Sequence, residues 1–546
     1  MRGSSRRPAA LEGSGSVPES GCTPRLACKT CQRPCDNSPM ASSRNCALPG
    51  NRWWTRIFSL SPGVRVMGRW FGLWFSIWFA ASAADAQTGA PDHSAIWPAQ
   101  LPPAVAAALK AARLPVAAVA LHVQETGSAK PALSLNPDQA MNPASVIKLI
   151  TTYAALELLG PSFVWKTGFY ANGALRGEVL DGDLIIRGSG DPKLSQEHLW
   201  LALKAVRARG VREIRGNLLL DRAGFDAGGF DPAKFDGDPL RAYNAGPDAL
   251  LINFKALALT FAPDESAATV NVSAEPRGIP VRSAVKLTPG ACVDFRADPV
   301  KAKIDANGIV LTGNYAASCG VKTWWLHPFE LTHAQYATAV IRQLWSDAGG
   351  TLAGEVRDGA VPAGAKLLYE AESQSLAEII RDINKFSNNV MARQLFLTLS
   401  AETLKLPGQA ERSARAVKTW LGEKKIGGDE VVLENGSGLS RIERASAGTL
   451  GRMLVAAYRS PVMPEFIASM PLVAYDGTMR RRLKTRDIAG QAHIKTGALN
   501  DVRAIGGYVL AASGKRYAVV FIVNHANAGA AQAAQDALLQ WVYAEG

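Results

Sequence analysis

Asn142-Pro143-Ala144-Ser145-Val146-Ile147-Lys148-Leu149-Ile150 opens a largely apolar run that continues to Leu159 and stops at Gly160. A turn-like lead-in, an apolar stretch and a glycine stop describe a mostly buried helix. Residues i and i+3 share one helix face, so Ser145 in the first turn has Lys148 beside it. A serine hydroxyl next to a buried lysine is the start of an active-serine site in which lysine, not histidine, accepts the proton.

S-x-x-K alone is weak, and the chain holds a second copy, Ser283-Ala284-Val285-Lys286. That copy runs into Leu287-Thr288-Pro289-Gly290, where proline and glycine deny it a helix. The signal lies in order and flanks. Ser145-x-x-Lys148 is followed by Ser387-Asn388-Asn389 and then by Lys495-Thr496-Gly497. A second K-T-G at Lys166-Thr167-Gly168 has only Ser145 upstream, a short way back, and Ser43-Arg44-Asn45 precedes the whole set. Leu376 to Ile383 has helical apolar spacing, and a second helix is expected over Val390–Ser400. Ser387 then falls at a helix–helix junction, where a side chain projects into a cleft.

The chemistry requires this set. An alcohol is a poor nucleophile until its proton is removed. An ordinary lysine, with a pKa near about 10.4, is charged at neutral pH, so Lys148 must have a lowered proton affinity. Burial and a second cation both act in that direction, and Lys495 is the candidate for the second cation. Ser387 and Asn389 would complete the hydrogen-bonded network, with Ser387 passing a proton to the leaving amine. A strand edge carrying Lys495-Thr496-Gly497 offers backbone groups to an extended peptide. The N–H groups of Ser145 and Ala498 are the expected oxyanion donors.

Other schemes fit poorly. No G-x-S-x-G elbow is present, and the seven histidines show no H-E-x-x-H or similar metal spacing. Gly188-Ser189-Gly190-Asp191-Pro192 lacks the Lys-Ser/Thr of a phosphate loop. His493, two before Lys495 on one strand face, reads as structural.

The chain has 546 residues, 47% of them apolar, and a net charge of +13. Residues 1–86 hold 11 Lys/Arg against 4 Asp/Glu, and the remainder holds 49 against 43. No Lys/Arg-rich run interleaved with aromatics follows, which excludes a nucleic-acid partner from the reading. Met67-Gly68-Arg69, the uncharged apolar stretch Trp70–Ala84 and Ala84-Asp85-Ala86 have the form of a cleavable secretory signal. Its 15 apolar residues are short of the roughly 20 a membrane span needs. Residues 1–66 are read as disordered or as an over-extended gene start. Their Cys28-x2-Cys31-x3-Cys35 lacks the second half of a zinc site. Cys292 and Cys319 remain in the exported part. Export favours a disulfide between them, the other reading being two free buried thiols.

A strand is expected at 116–124, ahead of the first motif, and strand-like runs at 179–187, 213–221, 268–274 and 308–313, with helices at 195–209 and 332–348, occupy the long interval between the first two motifs. The last 60 residues read as three strands (491–495, 504–512, 516–524) and a closing helix (530–544). The expected architecture is one α+β domain, an antiparallel sheet with helices, split by a large β-rich insertion. The expected boundaries are 87–165 and 360–546 for the catalytic domain, 166–359 for the insertion, and about 225–324 for a smaller nested domain.

The ordered blocks carry a resemblance. Pro143-Ala144-Ser145-x-x-Lys148, Asp183-Leu184-x-x-x-Gly188-Ser189-Gly190-Asp191-Pro192, Ile380 to Asn389, Gly436-Ser437-Gly438-Leu439-Ser440-Arg441, Asp476-Gly477-Thr478-Met479 and Lys495-Thr496-Gly497 resemble those of the penicillin-interacting D,D-peptidases. The closest likeness is to the D-alanyl-D-alanine carboxypeptidase/endopeptidase group (type-4, low-molecular-mass class C). The resemblance runs from about Val116 to the C-terminus. It implies a penicillin-binding, serine β-lactamase-like transpeptidase domain in the periplasm, acting on D-Ala-D-Ala termini and D-Ala-diaminopimelate cross-links of peptidoglycan. It implies acylation by penicillins and no metal or cofactor. Expected partners are peptidoglycan stem peptides and β-lactams, with a peripheral membrane or homodimer contact left open. Ser145, Lys148, Ser387, Asn389 and Lys495 are the expected catalytic residues, and Thr496, Gly497 and Ala498 the substrate-binding ones. Ala498 stands where the group usually has Thr or Ser, and Asn435 and Glu443 where Asp and Asn are usual. A β-lactamase and a catalytically weak cell-wall scaffold are the competing readings.

Overall fold

The computed structural model describes residues 101–296, 298–305 and 307–546. The expected signal segment and the cysteines upstream of it lie outside the described residues.

The first and last strands of the described chain are paired. Val119–Glu125 runs antiparallel to Arg516–Asn524, with Val119 opposite Val523. Around this pair a five-stranded antiparallel sheet has the order Ala492–Leu499, Val502–Leu510, Arg516–Asn524, Val119–Glu125, Leu133–Leu135. Alternation along the strands explains its two packed faces. Val119, Leu121, Val123, Val519, Phe521 and Val523 pack with Val105, Leu109, Leu538, Leu539 and Val542 of the helices Pro103–Ala111 and Gln532–Glu545. The intervening Ala120, Ala518, Val520 and Ile522 face a separate helical core containing Ile147, Ile150, Leu376, Ile380, Leu395 and Leu450. Each such buried aliphatic contributes about 1.5–3 kcal/mol. A sheet buried on both sides is a rigid base for whatever its edge carries.

Two further sheets lie between the Ser145 and Ser387 motifs. The seven-stranded one includes Lys166–Arg176, Val179–Arg187 and Leu218–Asp221, and it extends past residue 359 because Lys366–Glu372 pairs antiparallel with Lys166–Arg176. The six-stranded one has the order Val300–Asp305, Gly308–Ala316, Val281–Thr288, Thr269–Glu275, Leu257–Asp264, Lys322–Leu326. Cys292 and Cys319, which follow the parallel neighbours Val281–Thr288 and Gly308–Ala316, are joined by a disulfide. The decoy motifs fall into these sheets: Lys166 opens a strand of one, and Ser283 and Lys286 lie on a strand of the other. The fold is thus α+β with an inserted β-rich part. Among the described residues, no helix is long and apolar enough to cross a membrane.

Local differences from the sequence reading are small but instructive. The run expected as one helix from Ser145 divides into a 3-10 turn, Ala144–Ile147, and an α-helix, Lys148–Leu159. The expected 213–221 strand is two strands, Glu213–Ile214 and Leu218–Asp221, interrupted at Gly216. A Cβ at Gly216 would lie 2.6 Å from the Gly182 carbonyl oxygen, so the chain must be glycine where the strands close together.

Candidate active site

The nucleophile's turn is pinned from both sides. Ala144 sits at φ 44°, in the left-handed region. Such a conformation costs a non-glycine residue about 1–2 kcal/mol, so neighbouring contacts must hold it. Asn142 does so: its Oδ1 accepts from the Ala144 N–H at 2.8 Å, its Nδ2 donates to the Ser440 carbonyl at 2.9 Å, and its own N–H donates to Asn524 Oδ1 at 2.8 Å. A 3-10 turn has about three residues per turn, so i and i+3 eclipse. Lys148 Nζ accordingly lies 2.9 Å from Ser145 Oγ.

Lys148 is fully buried. Its nitrogen also reaches Asn389 Oδ1 at 2.6 Å and contacts the Ser437 carbonyl. Ser387 occupies the junction of the helices Leu376–Lys385 and Asn389–Leu404, at φ 57°, and Asn388 caps the second helix by accepting from the Met391 N–H at 3.0 Å. That left-handed link aims the hydroxyl away from both helices: Ser387 Oγ lies 2.9 Å from Lys495 Nζ. Lys495, also fully buried, donates to the Thr496 carbonyl at 2.7 Å as well. The structure therefore brings Ser145, Lys148 and Asn389 into one hydrogen-bonded group and Ser387 and Lys495 into a second, near enough that the Lys495 charge acts on Lys148.

Electrostatics favour uncharged amines here. Burial holds the Lys495 ammonium down to about 7. Burial, then the Lys495 charge, and then Arg393 hold Lys148 well below the usual lysine range, against an opposing pull from Glu443. A neutral lysine amine within hydrogen-bond distance of a serine hydroxyl is an arrangement that can accept the hydroxyl proton.

Thr496, Gly497 and Ala498 lie on the edge strand Ala492–Leu499. The Ile494 N–H donates to the Pro471 carbonyl, on the side away from the neighbouring strand. Backbone groups alternate in direction along an antiparallel strand, so Thr496 and Ala498 present theirs to the same free edge. Gly497 backs directly onto the nucleophile's turn: a Cβ there would lie 2.5 Å from the Pro143 carbonyl oxygen and 3.1 Å from the Ser145 nitrogen. Thr496 Oγ1 is 2.8 Å from Thr478 Oγ1, which ties the edge to the Asp476–Met479 block.

Two groups here escaped the sequence reading as functional residues. Arg393, 4% exposed, donates to the Tyr243 and Ala245 carbonyls at 3.0 Å and sends its charge toward Lys148. Helical position alone gave no hint of it, because Val390–Ser400 is buried on every side. Glu443 is fully buried and gathers the Glu434–Gly438 loop with its carboxylate. The only signal for it was its departure from the residue usual at that place.

A sheet edge beside a half-buried serine paired with a buried lysine, completed by a second serine–lysine contact, defines a serine peptidase of the penicillin-interacting class. The chain belongs to the D-Ala-D-Ala carboxypeptidase 3 (S13) family, whose pattern matches residues 101–544. It is 30% identical over 438 residues to a D-alanyl-D-alanine carboxypeptidase of Actinomadura sp. (strain R39), covering 76% of this chain and 79% of that one. It is 25% identical over 404 residues to D-alanyl-D-alanine carboxypeptidase DacB of Haemophilus influenzae, covering 72% and 82%. The crystal structure of penicillin binding protein 4 (dacB) from H. influenzae superimposes with a TM-score of 0.68 at 23% identity, over 81% of this chain and 99% of that one. A structure of the same protein complexed with a β-lactam gives a TM-score of 0.65 at 22% identity, over the same shares.

Proposed function

We propose that this chain is a serine D,D-peptidase of peptidoglycan, cleaving D-Ala-D-Ala termini and D-Ala-diaminopimelate cross-links through an acyl-enzyme on Ser145. The observation that carries the reading is the pair of contacts Lys148–Ser145 and Lys495–Ser387, each 2.9 Å, beside one strand edge.

In this scheme an extended stem peptide pairs with the backbone of Thr496 and Ala498. Neutral Lys148 takes the Ser145 proton as Oγ attacks the carbonyl carbon of the penultimate D-Ala. The oxyanion is received by the N–H groups of Ser145 and Ala498. As the peptide C–N bond breaks, the proton passes from Lys148 through Ser387 to the departing amine, leaving an ester on Ser145. Water, deprotonated by the same lysine, hydrolyses that ester and restores the serine. A β-lactam enters the same sequence, but its ring-opened leaving group stays tethered and blocks the water.

Export through the 67–86 segment, and the division into a catalytic domain (87–165 and 360–546) interrupted by 166–359 with a nested part near 225–324, belong to the same proposal. So does a peripheral membrane or dimer contact. Incubation with a fluorescent penicillin, followed by mass analysis of muropeptides digested with the enzyme, tests the function. Stable labelling with loss of D-Ala or of cross-links is expected. Rapid turnover of the penicillin would indicate a β-lactamase, and absence of both label and digestion a scaffold.

A further inference from the structure

Among the described residues, Glu443 has no side-chain partner of opposite charge. Its Oε1 accepts from the N–H groups of Glu434, Asn435 and Gly436 at 3.2, 2.9 and 2.7 Å, and its Oε2 accepts from the Gly438 N–H at 2.8 Å. Burial holds its proton affinity above the usual carboxylate range, opposed by those four donors. Every contact it makes is with a donor, so a proton on this carboxyl would have no acceptor, and the ionised form is the one the site fits.

The loop that Glu443 gathers is the one that holds the general base. Ser437, in its middle, presents its carbonyl to Lys148 Nζ, and the adjacent Gly436 carbonyl accepts from Thr151 Oγ1 at 2.7 Å, one turn further along the same helix. Gly438, at φ 79°, lies so close to the nucleophile's turn that a Cβ would sit 2.6 Å from the Ser145 nitrogen. The loop therefore touches both reacting residues, and Glu443 is what closes it.

Charge gives Glu443 a second effect. Lys148 is faced by Lys495 from the edge strand, by Arg393 from the Asn389–Leu404 helix, and by Glu443 from the loop. The nearby Glu434 is engaged elsewhere, accepting from Ser440 Oγ at 2.6 Å and pairing with Lys234 at 3.1 Å. Of the charges that act on Lys148, Glu443 is the one that favours its ammonium form.

We propose that Glu443 is the positioning residue of the general base: its ionised carboxylate closes the 434–438 loop onto Lys148 and is the counter-charge that keeps the amine within reach of both its protonation states. This rests on the reading of Lys148 as base and Ser145 as nucleophile. Without the anion, an ammonium at Lys148 is disfavoured still further, so the amine stays neutral to lower pH.

The test measures the acylation rate by a reporter penicillin against pH in wild type, Glu443→Gln and Glu443→Asp, with thermal melts of each. In Glu443→Gln the acid limb of the profile is expected to move to lower pH, and the plateau rate to fall about 100-fold as the loop loosens. Glu443→Asp keeps the charge and shortens the reach: its limb should stay in place while its rate falls about tenfold. A folded Glu443→Gln protein with an unmoved limb overturns the proposal. If that variant does not fold, Glu443→Asp decides alone, and a displaced limb or an undiminished rate overturns it. Failure of the underlying reading is distinct, since wild type itself would then show no adduct on Ser145.

Discussion

Lys148 Nζ stands 2.9 Å from Ser145 Oγ, three residues back in the chain, because the turn between them is 3-10 and stacks the two side chains. In an α-helical first turn they would share a face with an angular offset. The hydroxyl is thus set against the amine by backbone geometry.

Replacing that base should separate charge from basicity. Lys148→Arg keeps a cation but supplies no neutral amine. Acylation by penicillin is expected to fall about 10²–10⁴-fold. In wild type the rate should fall as the pH drops and Lys148 takes up a proton. That acid limb should lie well below the ordinary lysine range, since burial and Lys495 hold the amine down. Rates measured against pH for both proteins check this.

Burying Lys495 carries a stability cost that depends on pH. In the folded protein its ammonium is held down to about 7 by burial. In the unfolded chain it remains protonated up to about 10.4. Between these limits the unfolded state holds more protons, so this group's contribution to stability rises with pH from about 7 upward and is at its most unfavourable below 7. Lys495→Met should raise stability by on the order of 1–4 kcal/mol below that point, as replacing buried charges by apolar groups often does. The gain should shrink as the pH rises, and acylation should be lost. Thermal melts on both sides of neutrality, beside labelling, measure both effects.

The motif residues were legible because each sits where a local sequence pattern is strong. Ser145 precedes an apolar helix, Ser387 interrupts two helices, and Lys495 lies on a terminal strand. The strands Val179–Arg187 and Arg516–Asn524 were readable end to end. Lys166–Arg176 was not: its C-terminal half, Gly173 to Arg176, is solvent-exposed and carries no apolar alternation, and its pairing with Lys366–Glu372 spans a long stretch of chain. Glu443 was invisible as a functional group for a related reason. A carboxylate stabilised by four backbone N–H groups needs only that a loop fold around it, and such a loop leaves no spacing rule in the sequence.

Gly497 should tolerate no side chain. Gly497→Ala would press a Cβ against the Pro143 carbonyl, 2.5 Å away, and toward the Ser145 nitrogen. The strand and the nucleophile's turn must then part. A loss of roughly 1–3 kcal/mol in stability is expected from such overpacking, with a larger proportional loss of acylation. Urea titration and penicillin labelling of the same sample measure the two.

Ala498 is exposed on the free edge and offers no hydroxyl beside the place of the terminal carboxylate. Ala498→Thr should add one hydrogen bond to a charged acceptor, worth about 1.5–3 kcal/mol, and raise kcat/KM for peptides ending in D-Ala-D-Ala by about tenfold or more. Cross-linked dimers, whose scissile bond is followed by a longer chain, should gain less. Product analysis on both substrates gives the ratio.

The most direct measurement is the location of the covalent bond. Wild type and Ser145→Ala are incubated with a β-lactam, digested, and mapped by mass spectrometry. The expected result is one adduct, on the peptide containing Ser145, absent from a Ser145→Ala protein with an unchanged melting temperature. An adduct on another residue, or one that persists in Ser145→Ala, would contradict the account.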